Sequence, residues 1–355
     1  MKIKLFFPFI LAVLVNSGAY AQAESDKARA MELARTAVKL EDDGNIDTAI
    51  VLLNMARNLD SSEYTYPYEL GYVYYMKKDY KKAVAYYEKV ITMDKIDDQC
   101  FQMLGNSYDM NNQRDKAEEA YEKGLALFPK SGKLNLELGN IHQDDWNKAL
   151  GYYEKGIQVD PLFRSNYYWA SRIFCHSDQE VWGMIYGEIF MNMERNTNRT
   201  REISKLLFDT YSGQITFSSD TSYSVSFCKR IDMKDDKKTK LPFCLCYEPC
   251  LALAVIGEKS ISLGSLNRIR TKFIDYYYDR KFNKPYPNLL FDWHERLIKQ
   301  NMFECYNYWL LKEGALDEFN KWYNNNTAKM DVFIKWFSSN PMPINEKNKF
   351  SRLDY

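Results

Sequence analysis

The stretches "GYVYYMKKDYKKAVAYYEKVITMD" (Gly71–Asp94) and "GNSYDMNNQRDKAEEAYEKGLALFP" (Gly105–Pro129) differ at most positions. Both nevertheless keep a glycine, a tyrosine, a lysine-alanine pair and a tyrosine-glutamate-lysine triplet in the same order. Aligning them places Ala83 opposite Ala117, an offset of 117 − 83 = 34, and the same offset carries Gly71 to Gly105, Tyr74 to Tyr108 and Tyr87 to Tyr121. Thirty-four residues earlier stand Ala49, Ala37, Leu40 and Leu53, so the period holds over three units. A fourth unit contains Gly139, Ala149 and Tyr153, but its glycine-to-alanine gap is 149 − 139 = 10 instead of 12. The reading places the missing two residues in the turn at "HQDDW". A weaker fifth unit has Ser171 and Gly183 twelve apart, with Tyr167 and Phe174 in the flanking aromatic positions.

Each unit reads as two amphipathic helices. Phe101, Leu104, Gly105 and Tyr108 recur at helical spacing, a turn falls at "NNQRD", and Ala117, Ala120, Tyr121 and Leu125 line a second helix ending before Pro129. The small residues let two helix axes approach while the aromatics fill the space beside them. One such pair cannot bury its apolar stripe alone, so stacking of about three or more units is required.

These residues resemble the tetratricopeptide repeat over about residues 28–196, with four or five repeats. The resemblance implies an all-α superhelix whose first helices line a concave groove, and a protein that binds peptides or proteins rather than doing chemistry. Carried over by position, the groove-facing residues are Tyr68, Tyr72 and Tyr75 in the second unit, Gln102, Asn106 and Asp109 in the third, Asn140 in the fourth, and Tyr168 and Arg172 in the fifth. Asn106 and Asn140 stand where family members that clamp a terminal carboxylate carry asparagine. The lysines of that clamp are missing, with Tyr68 and Tyr72 in their region, so a different ligand is expected. Rings supply contact area at low entropic cost and amides pair with main chain, which suits an extended peptide. The alternative is that the chain's own C-terminal region fills the groove.

Lys+Arg and Asp+Glu balance at 48 each, leaving no basic field to hold nucleic acid. The first residues place Lys2 and Lys4 before an apolar run from Leu5 to Val15 and end in Ala19-Tyr20-Ala21, the layout of a secretory leader cut after Ala21. An uncleaved anchor is the other reading, disfavoured by the shortness of the run. A secreted or periplasmic location follows as an expectation. Seven cysteines, an odd number, leave at least one thiol free or paired to another chain.

Beyond the array, "QITFSSDTSYSVSF" alternates Ile215, Phe217, Tyr223, Val225 and Phe227 around a Ser-Ser-Asp turn, a hairpin signal. "DMKDDKKTK" reads as a solvated loop. Helical spacing returns in Leu266, Ile269 and Phe273; Leu290, Trp293 and Leu297; Phe303, Tyr306 and Leu310; Leu316, Phe319 and Tyr323; and Met330, Phe333, Ile334 and Phe337. The expected organisation is a leader over 1–21, the repeat array over 22–200, a linker with the hairpin over 201–240, an aromatic-rich helical domain over 241–340 and a loose tail over 341–355.

Candidates for chemistry are few. In "CLCYEPC", Cys244, Cys246 and Cys250 read as buried thiols first, then as a disulfide to Cys228, Cys175 or Cys305, and last as a metal site, for which no histidine lies near. Cys175-His176 cannot pair as nucleophile and base, because adjacent helical side chains diverge by about 100°. Asp292, His294 and Glu295 read as a solvated helix face, and are the best enzyme candidates only by default. No catalytic residue, metal or cofactor is assigned. The reading is an exported scaffold for a protein or peptide partner. The alternatives are an enzyme with its site in the C-terminal half, and a self-associating envelope protein.

Overall fold

The computed structural model describes residues 7–219, 222–230 and 241–355 and divides the chain into two compact units, Met1–Pro129 and Lys130–Tyr355. The boundary therefore falls inside the repeat array expected over 22–200. In the first unit lie α1 (Phe7–Asp42), α2 (Ile46–Leu59), α3 (Thr65–Met76), α4 (Tyr80–Val90), α5 (Asp98–Met110) and α6 (Arg114–Leu127). The expected cut after Ala21 falls within α1, and the first six residues lie outside the described ones.

The helices pair as three successive hairpins that share a turn geometry, and the second and third add a ring-on-glycine contact. At the turn, Gly44 (φ 79°), Lys78 (φ 61°) and Asn112 (φ 58°) all adopt the left-handed region. They stand at the 34-residue spacing, 44 + 34 = 78 and 78 + 34 = 112. The next amide then reaches back along the first helix: Asn45 N–H donates to Leu40 O at 2.7 Å, and Asp79 to Tyr74 and Gln113 to Tyr108 at 2.9 Å each. Glycine and asparagine enter this region readily; Lys78 does so at a cost of about 1 kcal/mol. Within the hairpin, the glycine of the first helix receives a tyrosine ring of the second. A methyl group at Gly71 would stand 2.8 Å from the Tyr87 ring, and one at Gly105 would stand 2.1 Å from the Tyr121 ring.

The second unit begins with α7 (Gly132–Ile141) and α8 (Trp146–Val159), where Gly139 receives Tyr153 in the same way, at 2.2 Å for an added methyl. The shortening of this repeat is taken by the first helix, not by the turn. Residues 106–110 continue α5 past Gly105, whereas only residues 140–141 continue α7 past Gly139. Asp145 then caps α8 by accepting from the amides of Asn147 and Lys148 at 3.1 Å each.

The fifth pair, α9 (Ser165–Phe174) and α10 (Glu180–Met193), replaces ring on glycine by small on small. Gly187 lies against Ser171, whose hydroxyl donates to Gly183 O at 2.8 Å. Residues 180–192 of α10 are buried on every face, so this helix is the axis of the unit's aromatic core.

α10 packs on α9, α11 (Asn198–Gln214) and α14 (Leu289–Lys299); the unit also holds the hairpin β1 (Ile215–Ser219) and β2 (Ser222–Val225), α12 (Cys244–Val255), α13 (Leu263–Asp279), α15 (Phe303–Leu311), α16 (Leu316–Asn325) and α17 (Thr327–Ser339). The hairpin pairs Ile215 with Val225 and Phe217 with Tyr223, the alternation expected. Part of its turn, with the loop at 231–240, lies outside the described residues. Cys228 and Cys244 form a disulfide, while Cys246 and Cys250 on α12 are buried thiols, as are Cys100, Cys175 and Cys305. Leu316 and Ile334, expected to face the core, are instead 48% and 50% exposed, and α16 buries none of its residues.

The tail is not loose. Phe350 is buried against Trp182 and Tyr186, and Arg352 grips the buried carboxylate of Glu154 through Nε at 2.7 Å and Nη2 at 2.5 Å. The Tyr355 ring packs on Trp182, Phe243 and Tyr286. A polar composition hides these anchors, because one fork of charge and two rings suffice to hold the segment.

Three substitutions test this packing. Gly105→Ala forces a methyl into the Tyr121 ring and is expected to lower stability by about 1–3 kcal/mol. Gly151→Ala, with open space at that position, is expected to raise it by about 0.5–1 kcal/mol. Thermal melting followed by circular dichroism reads both; equal effects would show that the ring contact is not selective. Arg352→Met leaves Glu154 buried without its cation and is expected to cost about 2 kcal/mol in chemical denaturation.

Candidate functional site

In the first unit the expected groove residues fall on α3 and α5. Tyr72 is 38% exposed, and Met76, one helical turn on, is 49% exposed. Tyr68 is half-buried: its ring meets Tyr87 edge-on at 5.5 Å and its hydroxyl accepts from Gln99 Nε2 at 2.7 Å. Tyr75 packs edge-on against Tyr80 at 5.4 Å. On α5, Gln102 and Asn106 are half-buried and Asp109 is exposed.

Asn106 has an internal partner, since its side-chain oxygen accepts from the Tyr121 hydroxyl at 2.6 Å. Asn140 repeats this in the second unit, accepting from Tyr153 at 3.0 Å. These asparagines finish the ring-on-glycine contact by taking the tyrosine's hydroxyl, which the sequence reading did not foresee. In the second repeat Tyr72 stands in place of asparagine, and the Tyr87 hydroxyl, fully buried, is left without a partner.

In the second unit Tyr168 is buried, its hydroxyl donating to Glu202 at 2.6 Å, and burial, with that hydrogen-bonded carboxylate, pushes Tyr168 up to about 12. Arg172 pairs with the same Glu202 at 2.9 Å and lies 4.7 Å above the Trp169 ring. Glu202 belongs to α11, so the chain itself supplies the partner for these two residues.

The sequence reading also passed over a concavity of about 760 Å³ in the first unit, lined by Met31, Arg35 and Val38 of α1 and by Glu69 of α3. Met31 and Val38 are 50% and 38% exposed. Nearby on α1, Glu41 is 7% exposed and its Oε1 has no partner. Burial, with the charges of Glu69 and Asp42, pushes its carboxyl up to about 7. The repeat register held the signal: Glu41 stands 34 residues before Tyr75, a groove position.

His294 is not on a solvated face. It is 4% exposed, with Nε2 at 2.6 Å from Glu188 Oε1 and at 3.2 Å from Arg270 Nη2, and Arg270 also pairs with Glu188. Burial opposes the charge on Glu188, but Arg270 and His294 outweigh it and hold the carboxyl at about 2. Burial lowers His294. Asp292 is exposed and takes the Tyr278 hydroxyl, and Glu295 pairs with Lys299 at 2.8 Å, so neither flanks the imidazole. The cavity beside the triad holds about 20 Å³, the room of a single water.

Residues 68–96 and 98–131 each match a family model described as a tetratricopeptide repeat. The peroxisomal targeting signal receptor of Saccharomyces cerevisiae is 26% identical over 116 residues, 32% of this chain and 19% of the receptor, so the match spans about a fifth of that relative. Among solved structures, pilF of Pseudomonas aeruginosa superposes with a TM-score of 0.45 at 16% identity, covering 53% of this chain and 85% of that one. The C-terminal part of a repeat-containing protein of Cytophaga hutchinsonii gives 0.42 at 14% identity, covering 88% and 97%.

Glu41 makes a pH-dependent contribution. Its folded value lies above the ordinary 4.5, so the stability it contributes is present below about 4.5 and is lost as pH rises to about 7. Melting temperature is expected to fall over that interval in the native chain. Glu41→Gln is expected to flatten the fall and to melt higher at pH 7.5; an unchanged profile would mean that the carboxylate is satisfied in solution.

Proposed function

Starting from a chain that is a tetratricopeptide-repeat protein over at least residues 68–131, we propose that it is an exported, non-catalytic scaffold holding a protein or peptide partner in the cell envelope. The observation that carries this reading is the concavity of the first unit, lined by the exposed Met31 and Val38 of α1, together with the exposed Tyr72 and Met76 of α3. Exposed apolar side chains gathered at a concave site favour association over solvation.

Export rests on Lys2, Lys4, the apolar run and Ala19-Tyr20-Ala21. The Cys228–Cys244 disulfide supports it, because such bonds persist in oxidising compartments. At the Glu188–Arg270–His294 triad the cavity is water-sized and leaves no room for a substrate, which argues against the enzyme reading centred on His294.

Affinity recovery of the full chain from intact envelopes tests the scaffold, comparing the native protein with Tyr72→Ala/Met76→Ala. Asn106 is a poor probe, since its loss disturbs Tyr121. A partner recovered with the native chain and lost with the double variant, at unchanged melting temperature, is the expected result. Recovery of the same proteins with both chains would exclude this face. Mass spectrometry of the recovered chain is expected to find it beginning at Gln22; an intact Met1 would end the leader reading.

A further inference from the structure

A concavity of about 180 Å³ lies wholly within the second unit and shares no residue with the larger one of the first unit. Its walls are Met191 from the last turn of α10, Arg201 and Ser204 from α11, Trp309 from α15, and Lys312 and Glu313 from the 3-10 turn that follows α15. Arg201 and Ser204 stand three apart and so share a face of α11. The 3-10 turn is fixed on that helix, because Gly314 lies against Phe208 and the Glu313 amide donates to Ser204 Oγ at 3.2 Å.

Two hydrogen-bond donors on this lining are unspent. Ser204 is 1% exposed, and while its oxygen accepts the Glu313 amide, its own proton has no acceptor among the described residues. Arg201 makes no ion pair with any described residue. Acids of the same segment are committed elsewhere, Glu202 to Arg172 and Tyr168, and Glu194 to Arg164 and Arg199. Within the lining, Glu313 is matched by Lys312 at 3.8 Å, so Arg201 is left as one cation in excess.

Unspent donors and one unmatched cation call for an acceptor that bears a single negative charge. A guanidinium presents paired N–H groups to a planar carboxylate, and the Glu313 carboxylate in the same lining repels a dianion. Met191, 3% exposed, and the half-buried Trp309 ring add an apolar wall for a carbon body, and the volume suits a small molecule, not an extended chain. We propose that this cavity binds a small organic monocarboxylate, with the carboxylate held by Arg201 and Ser204 and its carbon body against Met191 and Trp309. The site goes beyond the scaffold reading and does not depend on it.

The test is isothermal titration calorimetry of the full chain with acetate, butanoate and 3-phenylpropanoate. The expected result is binding of 3-phenylpropanoate with a Kd at or below about 1 mM, at least about tenfold tighter than its uncharged counterpart 3-phenylpropanamide. Arg201→Gln is expected to remove that preference at an unchanged melting temperature, because Arg201 is exposed and unpaired. In NMR spectra the indole signal that Trp309→Phe removes is expected to shift as the acid is added. Failure of all three acids to bind, equal affinity for acid and amide, or a preference retained in Arg201→Gln overturns the site and leaves the scaffold reading standing. Inorganic phosphate binding as tightly as 3-phenylpropanoate would make this a general anion site and overturn the choice of a carboxylate. Tighter binding of N-acetyl-glutamic acid α-amide than of 3-phenylpropanoate would assign the site to an acidic side chain of a protein and overturn the small-molecule proposal.

Discussion

A tyrosine ring lying on a glycine is the contact on which the repeated part of this protein depends. It appears between Gly71 and Tyr87, Gly105 and Tyr121, and Gly139 and Tyr153, at spacings that leave no room for a methyl group. A ring buries a large apolar area, and a glycine removes the one atom that would keep the helices apart. The left-handed residue at the turn serves the same end by reversing the chain within three residues, so that ring and glycine meet. Where the glycine is replaced, as at Ser171, the partner helix brings a glycine of its own.

The hydroxyl of that tyrosine decides what the groove face can do. Asn106 and Asn140 take it, which makes them part of the repeat's internal structure as well as of its surface. At the second repeat a tyrosine replaces the asparagine, and the buried hydroxyl of Tyr87 is left without a partner. One substitution within a repeated frame thus removes the acceptor that the other two repeats supply.

The second unit follows different physics. α10 is buried on all sides and carries Glu188 into an aromatic core, a position tolerable only because Arg270 and His294 arrive from α13 and α14. The same helix presents Tyr186 to the chain's final residues, where Arg352 N–H donates to its hydroxyl at 2.9 Å and the Arg352 side chain neutralises Glu154. Tyr168 and Arg172, which by repeat register belong to a groove, are instead held by Glu202 of α11.

The sequence by itself determined the repeat, its period, the helical hairpins and the hairpin of β-strands. The repeat rests on contacts at a constant separation and the β-hairpin on apolar alternation around a short turn, and both patterns are legible in a linear chain. It also set Tyr72 and Asn106 at equivalent repeat positions, where Tyr72 is exposed and Asn106 is half-buried against Tyr121. Only the tertiary structure decided that the compact units divide at Pro129, that His294 is buried, that Cys244 pairs with Cys228 and that the tail is anchored. Those outcomes depend on pairs such as Glu188 with His294, or Glu154 with Arg352, that are separated by 106 and 198 residues. No period relates them. Burial of a charge is a property of what surrounds it, and its surroundings exist only once the chain has folded.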